Sequence, residues 1–334
     1  MAQIPVPQGL VAVPTVHSYP RRMMPESYLV TGASGFVGGR LLGELRRRGI
    51  RAFGVGRTTA PGIGFGVGEI DAHTEWRPVL AGIDCVLHAA GRAHILRDAA
   101  ANPLAEFRRV NVEGTRRLAL QAAEAGVKRL VFISSIGVNG ISTDRRGPFT
   151  SQDLPAPIEP YGQSKLEAEL ALQESAASTG LEIVIVRPPL VYGPGVGANF
   201  LRLMNLVRRG LPLPLGGINN RRSLVALDNL VDLLIHCAQH PASVGETFLV
   251  SDDDDLSTPD LLRHLGTAMG VPVRLFPMPR WLLLMGARLI GRRGEAERLV
   301  GSLQADIQHT REVLGWEPVV SVREGLRRTV GTSC

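Results

Sequence analysis

Cysteine is scarce in this sequence of 334 residues, which contains only Cys85, Cys237 and Cys334. The three are widely spaced and odd in number, so they form neither a disulfide framework nor a spacing typical of zinc ligands. We therefore expect a reduced, cytoplasmic setting and no metal site.

Lysine and aromatic residues are also scarce. Of 37 basic residues only Lys128 and Lys165 are lysines, and aromatic residues make up 5% of the chain. The formal net charge of +6 is compatible with a phosphate-bearing ligand. However, the basic residues are not interleaved with aromatic ones, and the run at residues 46–48 is typical of an exposed helix face. Nucleic-acid binding is therefore not expected.

Long apolar runs are missing as well. Residues 1–24 are rich in proline and have no continuous apolar stretch, which predicts a disordered extension rather than a secretory signal. The apolar stretch at residues 281–290 is too short to span a bilayer. We interpret it as a buried helix, and contact with a membrane surface is the alternative.

From Tyr28 onward, short apolar runs alternate with longer amphipathic segments, which is the pattern of parallel βαβ units. Strands are predicted at residues 28–30, 50–55, 84–88, 129–133 and 181–186, and helices at residues 36–48, 103–125 and 161–178. This order predicts an α/β fold, with a Rossmann-type doubly wound parallel sheet over residues 25–190. Dense proline and glycine punctuation then predicts a smaller, partly discontinuous substrate-binding region over residues 191–330.

The segment TGASGFVG, residues 31–38, directly follows the first predicted strand and opens the first predicted helix. Glycines let the backbone turn sharply and come close to a pyrophosphate, whose charge is stabilised by the helix N-terminus. In this strand–helix context the motif predicts a dinucleotide site.

Tyr161 and Lys165 lie one turn apart on the same face of a predicted helix. Reduction of a carbonyl by hydride needs an acid for the developing alkoxide, and the reverse reaction needs a base. A phenol has a pKa near 10, which a neighbouring ammonium and an oxidised nicotinamide can lower. A lysine retained where nearly every other cation is arginine also indicates a need for a compact ammonium. We therefore predict that Tyr161 and Lys165 are the proton-transfer pair.

Several segments resemble the motifs of one family, in the same order along the chain. They are the Gly-x-x-Gly-x-x-Gly spacing at residues 32–38, GEI at 68–70, VLHAAG at 86–91, FISS at 132–135, YGQSK at 161–165, RPPLVYGP at 187–194 and LGWEP at 314–318. This set is similar to the extended short-chain dehydrogenase/reductases, which include nucleotide-sugar epimerases and dehydratases. Glu69 stands where the family has Asp, so the match is weaker there.

The resemblance implies a role for each matching residue. It places the substrate-polarising hydroxyl at Ser135, beside Tyr161, and it places Ser134 closer to the nicotinamide. The residues expected to contact the cofactor are Gly32, Ser34, Gly35, Phe36, Val37, Glu69, Ile70, Ala89, Ala90, Gly91, Ser134, Tyr161, Lys165 and Pro188. The resemblance also implies a homodimer formed through the two long predicted helices.

Arg57 ends the second predicted strand, where NAD-dependent proteins of this fold carry a carboxylate that binds the adenosine ribose. An arginine at this place can bind a 2′-phosphate instead. We therefore favour NADP(H) as the cofactor, and NAD(H) is the alternative.

Asn199 and Arg222 match positions at which the family holds the diphosphate and uridine of a UDP-sugar, and arginine suits phosphate because its fork bonds two oxygens. Arg92 and His94 either line the sugar pocket or have a structural role. The segments ISSIGVNG at residues 133–140 and RRSLVALDNL at residues 221–230 also resemble bacterial enzymes of polysaccharide biosynthesis. These are 4-ketoreductases that make UDP-N-acetylquinovosamine, and related 4-epimerases.

NADP(H) is the usual donor for net reduction. We therefore expect an NADP(H)-dependent 4-ketoreductase of a UDP-2-acetamido-2,6-dideoxy-hexos-4-ulose, with Tyr161 as the acid. One alternative is a 4-epimerase that retains NAD and acts on a UDP-sugar or a lipid-linked sugar. Another is an idle sensor of dinucleotides, but the complete set of Ser135, Tyr161 and Lys165 argues against a protein that needs no acid.

Overall fold

The structure, a computed structural model, describes residues 25–93, 102–289 and 291–331, with the side chains at positions 198 and 199 excepted. The predicted extension at residues 1–24 lies outside the described residues, as does His94.

Parallel strands form the centre of the molecule. The strands are β1 (Ser27–Thr31), β2 (Arg51–Gly56), β3 (Phe65–Gly66), β4 (Cys85–His88), β5 (Arg129–Ile133), β6 (Glu182–Arg187), β7 (Leu190–Tyr192), β8 (Leu224–Ala226) and β9 (Thr247–Leu249). Within the described residues, seven of them pair in the order β3-β2-β1-β4-β5-β6-β9, all parallel. The order reverses between β1 and β4, and ligands of such sheets bind at the carboxyl ends of the strands at this point.

The helices are α1 (Phe36–Arg47), α2 (Arg77–Leu80), α3 (Pro103–Phe107), α4 (Gly114–Glu124), α5 (Pro160–Thr179), α6 (Ala198–Arg208), α7 (Leu227–Gln239), α8 (Thr258–Met269), α9 (Arg280–Leu289), α10 (Arg293–Val300), α11 (Gln308–Leu314) and α12 (Val322–Gly331). The main sheet is covered on one face by α1 and α7 and on the other by α4 and α5. Side chains alternate along each strand, so Tyr28 and Val30 pack with α1 and α7, whereas Leu29 packs on the opposite face with α4 and α5. The doubly wound parallel sheet is therefore confirmed.

The helix predicted at residues 103–125 contains an irregularity. A π-helical segment, Arg108–Glu113, joins α3 to α4 without a break in the chain direction. Such segments widen the helix by one residue per turn, and they occur often at functional sites. Asn111 lies in this segment and faces the start of α5.

The chain after residue 190 contributes to two cores. The strands β7 and β8 pair in parallel, and α6, α8 and α12 pack with them around a separate apolar core. However, β9 joins the main sheet beside β6, and α7 packs on the face of that sheet. The division of the chain at residue 190 remains a prediction.

The interpretation of residues 281–290 as a buried helix is wrong. None of the ten residues of α9, all of them described, is buried. Leu283 and Leu284 are half-buried against the C-terminal core, while Trp281, Met285 and Leu289 are exposed to solvent. Among the described helices, none is both long enough and apolar enough to cross a membrane.

Candidate active site

The loop between β1 and α1 is pressed against the end of β4. Gly32 has a φ of 65°, and a Cβ on it would lie 2.7 Å from the backbone nitrogen of Ala90. A Cβ on Gly38 would lie 2.2 Å from the carbonyl oxygen of Gly32. Side chains at these two glycines would therefore force the helix and the loop apart.

The N-terminus of α1 has the properties of an anion site. Gly35 is the N-cap residue, and no described side chain bonds to the cap. The N–H groups of the first turn lack acceptors within the helix, and the helix dipole favours negative charge there. Ser34 and Gly35 are exposed at this tip, while Phe36 and Val37 pack against the apolar core beneath. These residues fit the pyrophosphate of a dinucleotide.

Arg57 lies at the end of β2 beside Glu69. Its Nη1 is 3.5 Å from Glu69 Oε1, and Arg109 Nη2 is 4.0 Å from Glu69 Oε2. The side chains of Arg57 and Glu69 are 74% and 63% exposed, so their attraction contributes little to stability. The adjoining Ile70 packs directly against Gly114, since a Cβ on that glycine would lie only 2.4 Å from Ile70 Cγ2. An exposed cation and an exposed carboxylate thus stand together where the adenosine ribose is expected.

Tyr161 and Lys165 lie in the first two turns of α5, close to the ends of β4 and β5. The Tyr161 ring meets Phe107 edge to face, with 5.9 Å between the ring centroids. Lys165 Nζ lies 4.1 Å from the centroid of the Phe132 ring. A Cβ on Gly91 would lie 3.7 Å from the same nitrogen, so the amino group is next to the backbone that follows β4.

Burial controls the protonation of both groups. It raises the pKa of Tyr161 to about 12. It lowers the pKa of Lys165 to about 7, and the negative charge of Glu169 opposes that decrease. Near neutral pH the phenol therefore keeps its proton and can donate it. Removal of that proton in the reverse reaction requires additional positive charge in the site, which an oxidised nicotinamide would supply.

Asn111 connects the backbone after β4 to the start of α5. Its Nδ2 donates to Ser164 Oγ at 3.0 Å and to the Arg92 carbonyl at 3.1 Å, and its Oδ1 accepts from the Arg92 nitrogen at 2.7 Å. Ser164 Oγ in turn donates to the Tyr161 carbonyl at 2.8 Å. The backbone of Arg92 thus has a structural role. Asn111 is not among the predicted site residues, because its role depends on contacts between separate elements.

His88 holds the end of β4 between its neighbours. Its Nδ1 lies 2.6 Å from Thr31 Oγ1, its Nε2 lies 3.0 Å from Thr115 Oγ1, and its ring stacks on Phe132. Burial, with a smaller effect from the charge of Lys165, lowers the pKa of His88 to about 3. The imidazole is therefore neutral and fully bonded, which suits a positioning role rather than proton transfer.

Ser135 begins the turn that follows β5. Its Oγ accepts a hydrogen bond from the Gly137 nitrogen at 3.1 Å, and this leaves the hydroxyl proton available to a substrate. A Cβ on Gly162 would lie 2.5 Å from the carbonyl oxygen of Gly137. Because Gly162 directly follows Tyr161, this close backbone contact brings Ser135 and Tyr161 into one site.

Ser134 is buried and turned towards a charge pair. Its hydroxyl donates to Glu169 Oε1 at 2.5 Å, and Glu169 is bound by Arg187 through Nε at 3.0 Å and Nη2 at 2.6 Å. Arg187 also donates to Asn139 Oδ1 at 3.1 Å, and the carbonyl of Pro188 accepts from the turn after β5. This pair secures the backbone around Ser134, and contact of Ser134 and Pro188 with a nicotinamide remains a prediction.

Arg222 lies at the end of α10. Its Nη1 donates to the carbonyls of Arg298 at 2.5 Å and Gly301 at 3.1 Å. The side chain of Arg298 bonds to Glu159, two residues before Tyr161, so Arg222 lies on the side of the molecule that carries the start of α5. Asn199 is in the first turn of α6, and its side chain lies outside the described residues. Their contact with a substrate remains a prediction.

One end of the sheet therefore collects the glycine loop with Ser135, Tyr161 and Lys165. The start of α1 and the carboxyl ends of β1, β4 and β5 meet there, as expected for the ligand crevice of a doubly wound sheet. No group of three potential metal ligands occurs within the described ranges.

The chain matches one family model and resembles two proteins named as 4-epimerases. A family model described as the NAD dependent epimerase/dehydratase family matches residues 28–251. The chain is 44% identical to the UDP-glucose 4-epimerase of Vibrio cholerae, over 92% of this chain and 95% of that protein. It is 27% identical to an Escherichia coli O157:H7 protein named N-acetyl-alpha-D-glucosaminyl-diphospho-ditrans,octacis-undecaprenol 4-epimerase, over 79% of this chain and 78% of that protein.

A solved structure shares the fold over most of the chain. MoeE5 in complex with UDP-glucuronic acid and NAD superposes with a TM-score of 0.74 at 27% identity, and the match covers 92% of this chain and 98% of MoeE5. The names of the sequence relatives favour the 4-epimerase alternative over the 4-ketoreductase.

Proposed function

This chain belongs to the NAD dependent epimerase/dehydratase family, and on that premise we propose that it is a UDP-sugar 4-epimerase that retains NAD(H). The observation that carries the proposal is the 44% identity to the Vibrio cholerae UDP-glucose 4-epimerase across nearly the full length of both proteins. Such an enzyme inverts a secondary alcohol by oxidising it and reducing the ketone from the opposite face. The net reaction consumes no reductant.

The proton-transfer residue must both accept and return a proton in this reaction, and Tyr161 is suited to both. In the reduction step the buried phenol, with its raised pKa, donates to the oxygen at C4. In the oxidation step the same oxygen must give up its proton. Positive charge from Lys165 in its protonated form, and from an oxidised cofactor when one is bound, would lower the pKa of the phenol for that step.

Ser135 holds the reacting oxygen beside Tyr161. Its hydroxyl already accepts from the Gly137 nitrogen, which leaves one proton to donate to the oxygen at C4. A donor aimed at this oxygen stabilises the ketone and alkoxide more than the neutral alcohol. Its fixed position on the turn after β5 costs no reorganisation during the reaction.

The residues around the glycine loop fit a dinucleotide, because the first turn of α1 is uncapped by any described side chain and begins at the exposed Ser34 and Gly35. The bound nicotinamide would take up a hydride from C4 and return it. Lys165 lies next to the backbone of Gly91 and would bind the nicotinamide ribose. MoeE5, one of the structurally similar proteins, was solved in complex with UDP-glucuronic acid and NAD.

A second candidate is the NADP(H)-dependent 4-ketoreductase, and Arg57 is the observation that favours it. This exposed arginine occupies the end of β2, where a carboxylate would otherwise bind the ribose hydroxyls of NAD. Arg109 approaches the same Glu69 and adds a second cation. Glu69, however, lies between them and can bind ribose hydroxyls, which supports NAD(H).

The deciding experiment is to denature the purified full chain and identify the released dinucleotide by mass spectrometry. The same preparation is then assayed for interconversion of UDP-glucose and UDP-galactose without added cofactor. We expect stoichiometric NAD and interconversion. Released NADP, or an empty site together with oxidation of added NADPH by a UDP-4-keto-6-deoxy sugar, would replace the epimerase by the ketoreductase.

A pair of variants separates the cofactors independently of the sugar. Arg57→Ala should leave the binding of NAD(H) nearly unchanged, but it should weaken NADPH binding by about tenfold or more if Arg57 holds a 2′-phosphate. The matched control is Arg51→Ala at the exposed start of the same strand. Titration of the apo-protein with each dinucleotide measures both affinities.

A further inference from the structure

Helix α9 presents a row of large apolar side chains to solvent. Trp281, Met285 and Leu289 follow one another at intervals of four residues and therefore lie on the same face of the helix. They are 66%, 49% and 82% exposed. Leu283 and Leu284 pack against the C-terminal core and hold the opposite face. The helix is thus anchored to the protein by one side while its other side is uncovered.

The chain segment that carries this face is basic as far as Glu295 in α10. From residue 261 to residue 294 the sequence contains six arginines and no acidic residue. Arg288 lies in α9 itself, Arg292 and Arg293 follow it directly, and all three are exposed. An apolar stripe bordered by cations complements a surface that offers phosphate groups above acyl chains.

Two polar contacts attach α9 and α10 to the loop that precedes the catalytic helix. Arg280, the first residue of α9, donates from Nη2 to Asp144 Oδ2 at 2.9 Å. Arg298 of α10 donates to Glu159, the N-cap residue of α5. The basic, apolar helix therefore borders the side of the molecule where Tyr161 lies.

The last part of the loop between these two acceptors, LPAPI at residues 154–158, is apolar and largely exposed. Leu154 is 88% exposed and Ile158 is 70% exposed, and Ile158 precedes Tyr161 by only three residues. Isolated exposed apolar residues are common, but here they occur next to an uncovered apolar helix and on the same side as the site.

We propose that α9 and the loop at residues 154–158 dock this enzyme on an anionic membrane surface, with the substrate entrance next to the lipid headgroups. Trp281, Met285 and Leu289 enter the boundary between headgroups and acyl chains, and the neighbouring arginines bind lipid phosphates. The inference goes beyond the proposed function and does not depend on which sugar is the substrate.

The test compares the full-length wild type with the triple variant Trp281→Ser, Met285→Ser, Leu289→Ser in vesicle flotation. Vesicles of phosphatidylglycerol and phosphatidylcholine are compared with vesicles of phosphatidylcholine alone. We expect the wild type to float with the anionic vesicles only. We expect the triple variant to bind them at least about tenfold more weakly, since three inserted side chains are lost. The double variant Arg288→Gln, Arg292→Gln should also lose about tenfold or more.

Tryptophan fluorescence gives a second, local readout. Of the three tryptophans, Trp76 and Trp316 are buried and Trp281 is exposed, so a blue shift on addition of anionic vesicles reports insertion of α9. The matched controls are Val319→Ser, which removes an exposed apolar side chain elsewhere, and Arg323→Gln, which removes an exposed charge elsewhere. Both should bind vesicles like the wild type.

Three results would overturn the proposal. The first is a wild type that floats with neither kind of vesicle, and the second is binding that the triple variant leaves unchanged. The third is a lipid-free wild type that sediments as a larger particle than the triple variant, since a second copy of the chain would then cover α9. Thermal unfolding checks that all variants are folded. The dinucleotide and interconversion assays run separately, so failure here leaves the proposed epimerase untouched.

Discussion

The end of the sheet next to Tyr161 and the outer face of α9 differ in which side chains they bury. At the sheet, Asn111, Glu169 and Arg187 are buried, and each has hydrogen-bond partners. In α9, Trp281 and Leu289 are left in solvent. Burial of polar groups and exposure of large apolar groups both cost free energy, so both regions depart from the usual arrangement. We interpret the end of the sheet as a binding site for a small molecule and the outer face of α9 as a contact surface for a membrane.

The strongest test of this contrast removes a polar group that acts in chemistry rather than in packing. Tyr161→Phe should lower turnover by a factor of about 10² or more, because the acid and base are lost while the ring remains. Steady-state assay of the interconversion measures turnover, and urea denaturation should give a nearly unchanged free energy of unfolding. Near-normal turnover would remove Tyr161 from the mechanism. The matched control is Tyr192→Phe, which deletes a buried hydroxyl outside the catalytic group and should affect stability more than turnover.

The next largest effect concerns the buried charges that hold the site. Arg187→Met should lower the free energy of unfolding by about 3–5 kcal/mol, because it leaves the Glu169 carboxylate buried without its partner. The double variant Arg187→Met, Glu169→Leu should recover much of the loss, since neither charge of the pair then remains buried. Urea denaturation measures both.

The exposed pair of Arg77 and Glu124 is the control for that comparison. Arg77→Met should change stability by no more than about 1 kcal/mol, because solvent screens an exposed pair. Equal losses for the buried and the exposed arginine would contradict a special role for the pair beneath the site.

A smaller effect on stability is expected at the close backbone contact between Gly162 and Gly137. Gly162→Ala places a Cβ against the carbonyl of Gly137 and should lower the free energy of unfolding by about 1–3 kcal/mol. It should lower turnover as well, because it moves Tyr161 relative to Ser135. Gly43→Ala is the control: no described atom outside its own helix lies within 4 Å of the added carbon, so stability should rise by about 0.5–1 kcal/mol. If Gly162→Ala had no effect, the close contact would not define the site.

The last prediction concerns a slope with pH rather than a single difference between two variants. The pKa of Lys165 is about 7 in the folded chain, against an ordinary value of 10.5. Between these values the unfolded chain binds a proton that the folded chain lacks, so stability of the cofactor-free protein rises with pH, by up to about 1.4 kcal/mol per pH unit. Above about pH 9 the buried thiols of Cys85 and Cys237, whose pKa values are raised by burial, act in the opposite direction. Denaturation between about pH 7 and pH 9 should therefore show this rise in the wild type and not in Lys165→Met. Parallel curves for the two proteins would contradict the burial of an uncharged Lys165.

Local sequence patterns predicted the elements that build the site. The glycine loop was predictable because its spacing, strand and helix all lie within a short stretch of chain, where φ and close packing demand glycine. The pairing of Tyr161 with Lys165 was predictable because helical spacing alone puts them on one face. The partners of Asn111 and Glu169 were not, because each bond joins residues far apart in the chain that only folding brings together.

The short strands β3, β7, β8 and β9 were not predicted from the sequence. The sequence by itself determined the parallel class of the sheet, its five longer strands and the side chains available for proton transfer. Periodicity and short motifs encode these directly. Only the tertiary structure decided which side of α9 is covered. An apolar segment of that length has the same pattern whether it is buried or lies at an interface, and the difference depends on whether another element packs over it. Likewise, the burial that lowers the pKa of Lys165 and raises that of Tyr161 exists only where β4, β5 and α5 meet.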